Sequence, residues 1–176
     1  MHMHKHMRVR LVTGLALLST GALAGAFGYG AANLVPTFDA VPLQMRLSFH
    51  ARLMEMNGIT VQGAMALSAL SSATLTVMTR GTPRRLAGGA GLLVLASFLI
   101  TRLGNVPINA RIKQWAVTSA PLDHAEVLDR WEAFNHARTA TAFAAFTLLI
   151  LLALRRQGAG GALDADAGGG GRPVPA

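Results

Sequence analysis

Four apolar runs constrain this chain more than any other feature. Leu11 to Ala32 carries no charge, and Ile59 to Thr79 has Gln62 as its only strongly polar side chain. Leu86 to Ile100 can continue to about Val106 if Arg102 is accommodated. Thr139 to Leu154 is short, but its helix can begin earlier, in the polar stretch before it. A helix needs about 20 apolar residues to cross a bilayer, and backbone groups in lipid must be paired within the segment. The runs predict four transmembrane helices, at about 11–32, 59–79, 86–106 and 136–155.

The expected fold is all-α: a four-helix membrane bundle over residues 10–156, with a flexible leader at 1–9 and a disordered Gly-rich tail at 157–176. Leu43 to Met56 has helical periodicity, with Leu43, Leu47, Leu53, Met54 and Met56 against Gln44, Arg46, Arg52 and Glu55. It reads as a short amphipathic helix at the interface, after the first span. His50 within it is expected at the surface or interface, with lining a site as the lesser alternative. Pro36 and Pro42 should break the chain ahead of it. Arg80 to Arg85 reads as a tight turn around Gly81 and Pro83. Pro121 followed by Asp123 and Glu126 marks a helix start, so the fourth span should carry an amphipathic amino-terminal extension. Gly21 and Gly25 form a GxxxG pair of the kind that lets helices approach closely, and Trp115 suits an interfacial anchor.

Composition fits a membrane protein. Charged residues make up 14% of the chain and hydrophobic residues 52%, whereas soluble domains carry about a quarter charged residues. The net charge is +8, but the basic residues are scattered between apolar runs without the aromatic clustering of a nucleic-acid surface; nucleic acid is not an expected partner, and the bilayer is. The chain has no cysteine, which excludes disulfides and thiolate chemistry. With four spans, one side of the membrane receives nine basic residues, including Arg8, Arg10, Arg80, Arg84, Arg85, Arg155 and Arg156. The other receives six: Arg46, Arg52, Arg111, Lys113, Arg130 and Arg138. The bias predicts a cell-membrane protein with both termini cytoplasmic. A cleaved signal peptide is the competing reading of the first run, which is long for one.

Two polar stretches abut the apolar runs: Arg102-Leu103-Gly104-Asn105-Val106-Pro107-Ile108-Asn109, and Arg130-Trp131-Glu132-Ala133-Phe134-Asn135-His136-Ala137-Arg138. Ionisable groups at membrane depth are functional candidates. Helical spacing places Arg102, Asn105 and Asn109 on one face, with Pro107 bending or opening the same turn. It also places Trp131, Asn135 and Arg138 together. Glu132 and His136 lie one turn apart, where a carboxylate could orient an imidazole as a general base. The same spacing suits an exposed helix pair, and spacing alone does not choose. The set as a whole could equally be a polar cap joining helix ends.

These stretches carry a resemblance. Asn105-Val106-Pro107-Ile108-Asn109, then Trp115, then Trp131 with Asn135-His136-Ala137-Arg138-Thr139, resembles the DUF1772 family of small membrane proteins, over about residues 10–156. The family includes anthrone oxygenases of aromatic polyketide biosynthesis, which look like cofactor-independent monooxygenases. The resemblance implies a small aromatic substrate and O2 as partners, and neither cofactor nor metal. In that setting His136 would be the base, oriented by Glu132. Arg138, Asn105 and Asn109 would stabilise the substrate's enolate oxygen, with Asn135 lining the same site. Trp131 would stack on the ring system, and Arg102 is a further substrate-binding candidate. The alternative is a non-enzymatic scaffold whose polar stretches are structural. The two differ in one feature: an enzyme needs a cavity bordered by both stretches.

Overall fold

A computed structural model describes the backbone of residues 2–168 and the side chains of residues 6–155. Helix α1 (His2–Tyr29) passes through a π-helical turn (Gly30–Leu34) into α2 (Val35–Asp39). Helix α3 (Leu43–Met78) returns. Helix α4 (Thr82–Ile100) passes through a second π-helical turn (Thr101–Asn105) into α5 (Val106–Trp115), and α6 (His124–Gly168) returns again. Among the described residues four helical rods, numbered in chain order, are long and apolar enough to cross a membrane: His6–Asp39, Leu43–Met78, Thr82–Trp115 and His124–Arg155. The protein is an integral membrane four-helix bundle, in which the start of α1 and the end of α6 lie at one end, the terminal end, and the α2–α3 and α5–α6 connections at the other, the far end.

The helices run longer than the apolar runs. The amphipathic segment at 43–56 is present after the first span, but it continues without a break into the second. The leader is helical from His2. Backbone helix extends through Gly168, into the stretch expected to be disordered; residues 169–176 lie outside the described residues. The turn after α3 is tight because Gly81 takes φ +63°, a conformation glycine adopts without steric cost. Pro83 then sits in the first turn of α4, where its missing N–H is not needed.

Pro36 does not end its helix. Proline cannot donate to the carbonyl four residues back, and its ring collides with that carbonyl. In both rods the residue ahead of the proline bonds five residues back instead: the Val35 N–H to the Gly30 carbonyl, and the Val106 N–H to the Thr101 carbonyl. The widened turn makes room for Pro36 and for Pro107, and the helix continues.

Contacts run from α1 to α3, α3 to α4, α4 to α6 and α6 to α1, closing the ring of four. At the terminal end, Val9, Ala16, Leu75, Ala87, Ala90, Val94, Ala145, Leu149 and Leu152 fill the interior. At the far end Val35, Phe38, Leu47, Ile108, Ile112, Trp115 and Trp131 form a second core. Trp115 belongs to that core at 6% exposure, with the Arg111 guanidinium 5.0 Å from its ring centroid; it is not a lipid-facing anchor. Large apolar residues such as Leu18, Leu70, Val77, Leu92 and Leu154 point outward, as a lipid-facing surface requires. Gly21 and Gly28, rather than Gly21 and Gly25, are the glycines in close contact. A Cβ on either would lie 2.9 Å from a phenyl ring of α6, Phe146 and Phe143 respectively, while Gly25 has open space.

Candidate functional site

The far half of the bundle holds a cavity of about 960 Å³. Its walls come from all four rods: Phe27, Tyr29 and Leu34 on the first, Leu53 to Met65 on α3, Phe98 to Lys113 on the third, and Trp131, Asn135 and Arg138 on α6. Both π-helical turns contribute, through Gly30 and Leu34 and through Thr101 and Arg102. Below it lies the terminal-end core.

On α6, Arg138 directs Nε and Nη2 to the Asn135 Oδ1 at 3.2 and 2.7 Å, and its guanidinium lies 4.4 Å from the Phe27 ring centroid. That leaves Nη1 uncommitted. Asn135 is 2% exposed, and its Nδ2 has no partner among the described residues. A guanidinium edge and an amide N–H thus sit side by side on the cavity wall, a pair suited to holding an oxyanion. Trp131 donates its indole N–H to the Asn109 Oδ1 at 2.7 Å, which locks the two polar stretches together across the wall. Arg102 and Asn109 line the cavity as well. The lining contains Arg102, Lys113 and Arg138 and no carboxylate.

Three expected site residues sit elsewhere. Asn105 is fully buried and spends its Nδ2 on the Trp131 carbonyl at 3.0 Å; it ties α6 to the π-helical turn and does not line the cavity. Glu132 does not orient His136. Its carboxylate accepts from Arg46 Nη2 at 2.6 Å, and Arg46 Nη1 reaches Asp39 at 2.6 Å. This buried arginine joins α2, α3 and α6 in one node. His136 is exposed, faces away from the lining, and its Nδ1 lies 2.8 Å from the backbone carbonyl of Glu132.

The imidazole behind the cavity wall is a different one. His50, expected at the surface or interface, is fully buried. It stacks on Phe38 at 4.9 Å between centroids and meets Trp131 edge-on at 4.4 Å, and both of those rings line the cavity. Neither ring nitrogen has a hydrogen-bond partner among the described residues. A signal for its burial was available: His50 continues the Leu43, Leu47, Met54 stripe at i, i+4, i+7 and i+11, the face that turns inward.

The anthrone oxygenase family matches the chain over residues 45–148. The chain belongs to the anthrone oxygenase family. The matched segment runs from the helix that carries His50 through both polar stretches and the whole of Trp131 to Arg138, so every element that lines the cavity except α1, α2 and the π-helical turn between them falls within the family region. No curated protein and no solved structure matches the chain.

Proposed function

We propose that this family member is an anthrone-type oxygenase, acting within the membrane on a planar aromatic polyketide. The observation that carries the reading is the cavity itself: apolar and aromatic walls, three cations, no carboxylate, and borders drawn from both polar stretches. A scaffold has no use for such a space between its polar groups.

The methylene of an anthrone is acidic because its carbanion is also an aromatic phenolate. Arg138 Nη1 and Asn135 Nδ2 hold the substrate oxygen on which that charge collects, while Trp131 and Phe27 flank the rings. Positive charge in a poorly hydrated site favours the anion strongly. His50, one ring behind the wall, takes the proton in place of the exposed His136; the Phe38 ring stacked on it gives way as the substrate comes in. The carbanion passes one electron to O2, the superoxide and carbon radical combine into a C–O bond, and the resulting peroxide anion takes back the proton from His50 and loses water as its O–O bond and the second C–H bond break. One anthrone and one O2 yield one anthraquinone and one water. The bias of basic residues towards the terminal end supports an orientation with both termini in the cytoplasm.

The test is oxidation of an anthrone by the full-length protein in detergent under 18O2. One labelled oxygen should appear in the new carbonyl, with one O2 consumed per product. Anaerobically, the protein should catalyse exchange of the methylene protons with D2O. His50→Gln should slow both about a hundredfold or more, the usual loss for a proton-transfer group, while His136→Ala should retain them. Oxidation no faster than in protein-free detergent would rule out the oxygenase reading.

A further inference from the structure

The far end carries seven basic residues, and their partners separate them into two groups. Arg46 is held by Asp39 and Glu132, Arg52 by Glu55, Arg111 by Asp123, and Arg130 by Glu126. Arg138 is held by Asn135 and Phe27. Arg102 and Lys113 have no ion pair, hydrogen bond or aromatic ring under them among the described residues. These two are also cavity-lining residues. The two far-end cations without a partner among the described residues thus both line the cavity, with their side chains exposed.

They belong to one stripe. Arg102, Asn109 and Lys113 follow one another at i, i+7 and i+11 along the third rod, with Val106 and Ala110 between them on the same wall. The stripe lines the cavity on the rod next to α6, the helix that carries Arg138 and Asn135. A flat ligand with one oxygen at Arg138 thus has a second cationic wall to meet, and that wall bears no acid to neutralise it.

We propose that the ligand of this cavity carries a second anionic group, an oxyanion on an otherwise apolar body, paired with Arg102 and Lys113. For an anthrone-type substrate, on whose reading this rests, that group is a carboxylate on the outer ring. The phosphate of an anionic lipid offers the same chemistry, and the test separates the two.

Binding is read by quenching of tryptophan fluorescence in the full-length protein in dodecyl maltoside, which contains no phosphate. The probes are anthraquinone-2-carboxylate and its uncharged carboxamide. The ratio of their affinities is the readout, and it does not require turnover. The carboxylate should bind about tenfold more tightly, the scale of two part-exposed ion pairs. The ratio should fall to about one in the Arg102→Gln/Lys113→Gln double variant and survive in Arg102→Lys/Lys113→Arg, which keeps both charges. Equal affinities in the wild type, or a preference that persists in the uncharged double variant, would overturn the proposal. Loss of the wild-type preference on adding phosphatidylglycerol, with no such effect of phosphatidylcholine, would assign the stripe to lipid and overturn the substrate carboxylate. An undisturbed preference in a protein that fails to oxidise anthrones would sink the oxygenase reading and leave the anionic ligand standing.

Discussion

The two halves of the bundle are written in similar residues and put to different uses. The first reads Val35-Pro36, then Pro42-Leu43, then Arg46 and Phe49-His50-Ala51-Arg52. The second reads Val106-Pro107, then Pro121-Leu122, then Arg130 and Phe134-Asn135-His136-Ala137-Arg138. In both, a π-helical turn precedes the Val-Pro pair. The second half has one residue more, Asn135, between its phenylalanine and its His-Ala-Arg. One residue turns a helix by about 100°. In the first half the histidine is buried and Arg52 is 82% exposed. In the second the histidine faces out, and Asn135 and Arg138 face the cavity. A shared local vocabulary therefore does not predict which chemistry faces the cavity; helical phase does.

The same contrast holds at the π-helical turns. The first is open: a Cβ on Gly30 meets nothing within 4 Å, and Asn33 is exposed, with only a 3.5 Å bond to the carbonyl of Tyr29. The second is keyed to α6, with Gly104 under the Phe134 ring and Asn105 on the Trp131 carbonyl.

Substitutions can sharpen or break this contrast. The largest effect is expected where the halves are joined. Arg46→Ala leaves Glu132 at 19% side-chain exposure without its cation and should lower stability by about 3–5 kcal/mol, measured by unfolding in detergent. Next is Gly104→Ala, whose Cβ would lie 2.5 Å from Phe134; it should cost about 1–3 kcal/mol, whereas Gly30→Ala should be neutral or slightly stabilising. Equal effects of the two glycine substitutions would show that the two turns are packed alike. Smallest is Asn105→Ala, which removes a buried hydrogen bond for about 1–2 kcal/mol, set against a change within about 0.5 kcal/mol for Asn33→Ala.

The bundle was legible in the chain because hydropathy over twenty residues reports a span whatever its neighbours do. Helix continuity was less so. Pro36 looks like a break and Pro107 like a bend or an opening, and only the pairing of Val35 and Val106 five residues back shows how the rods pass through them. At the site, Trp131, Asn135 and Arg138 could be grouped from spacing because all three lie on one helix. Glu132 and His136 could not be settled that way, since the group that takes the carboxylate, Arg46, lies 86 positions away. Intrahelical spacing fixes which side chains could meet and says nothing of a stronger competitor from another helix. Asn105 shows the same limit: its face is readable, but its commitment to a backbone carbonyl of α6 is not.

The cavity occupies only the far half of the bundle. Arg102 and Arg138 each lie seventeen residues from the basic positions Arg85 and Arg155 near the terminal end, about 25 Å along a helix. Between those levels the interior is closed by Ala87, Ala90, Val94, Ala145, Leu149 and Leu152. An occupant of the cavity is thereby stopped short of the terminal end, and its contacts are confined to one half of the bundle's depth.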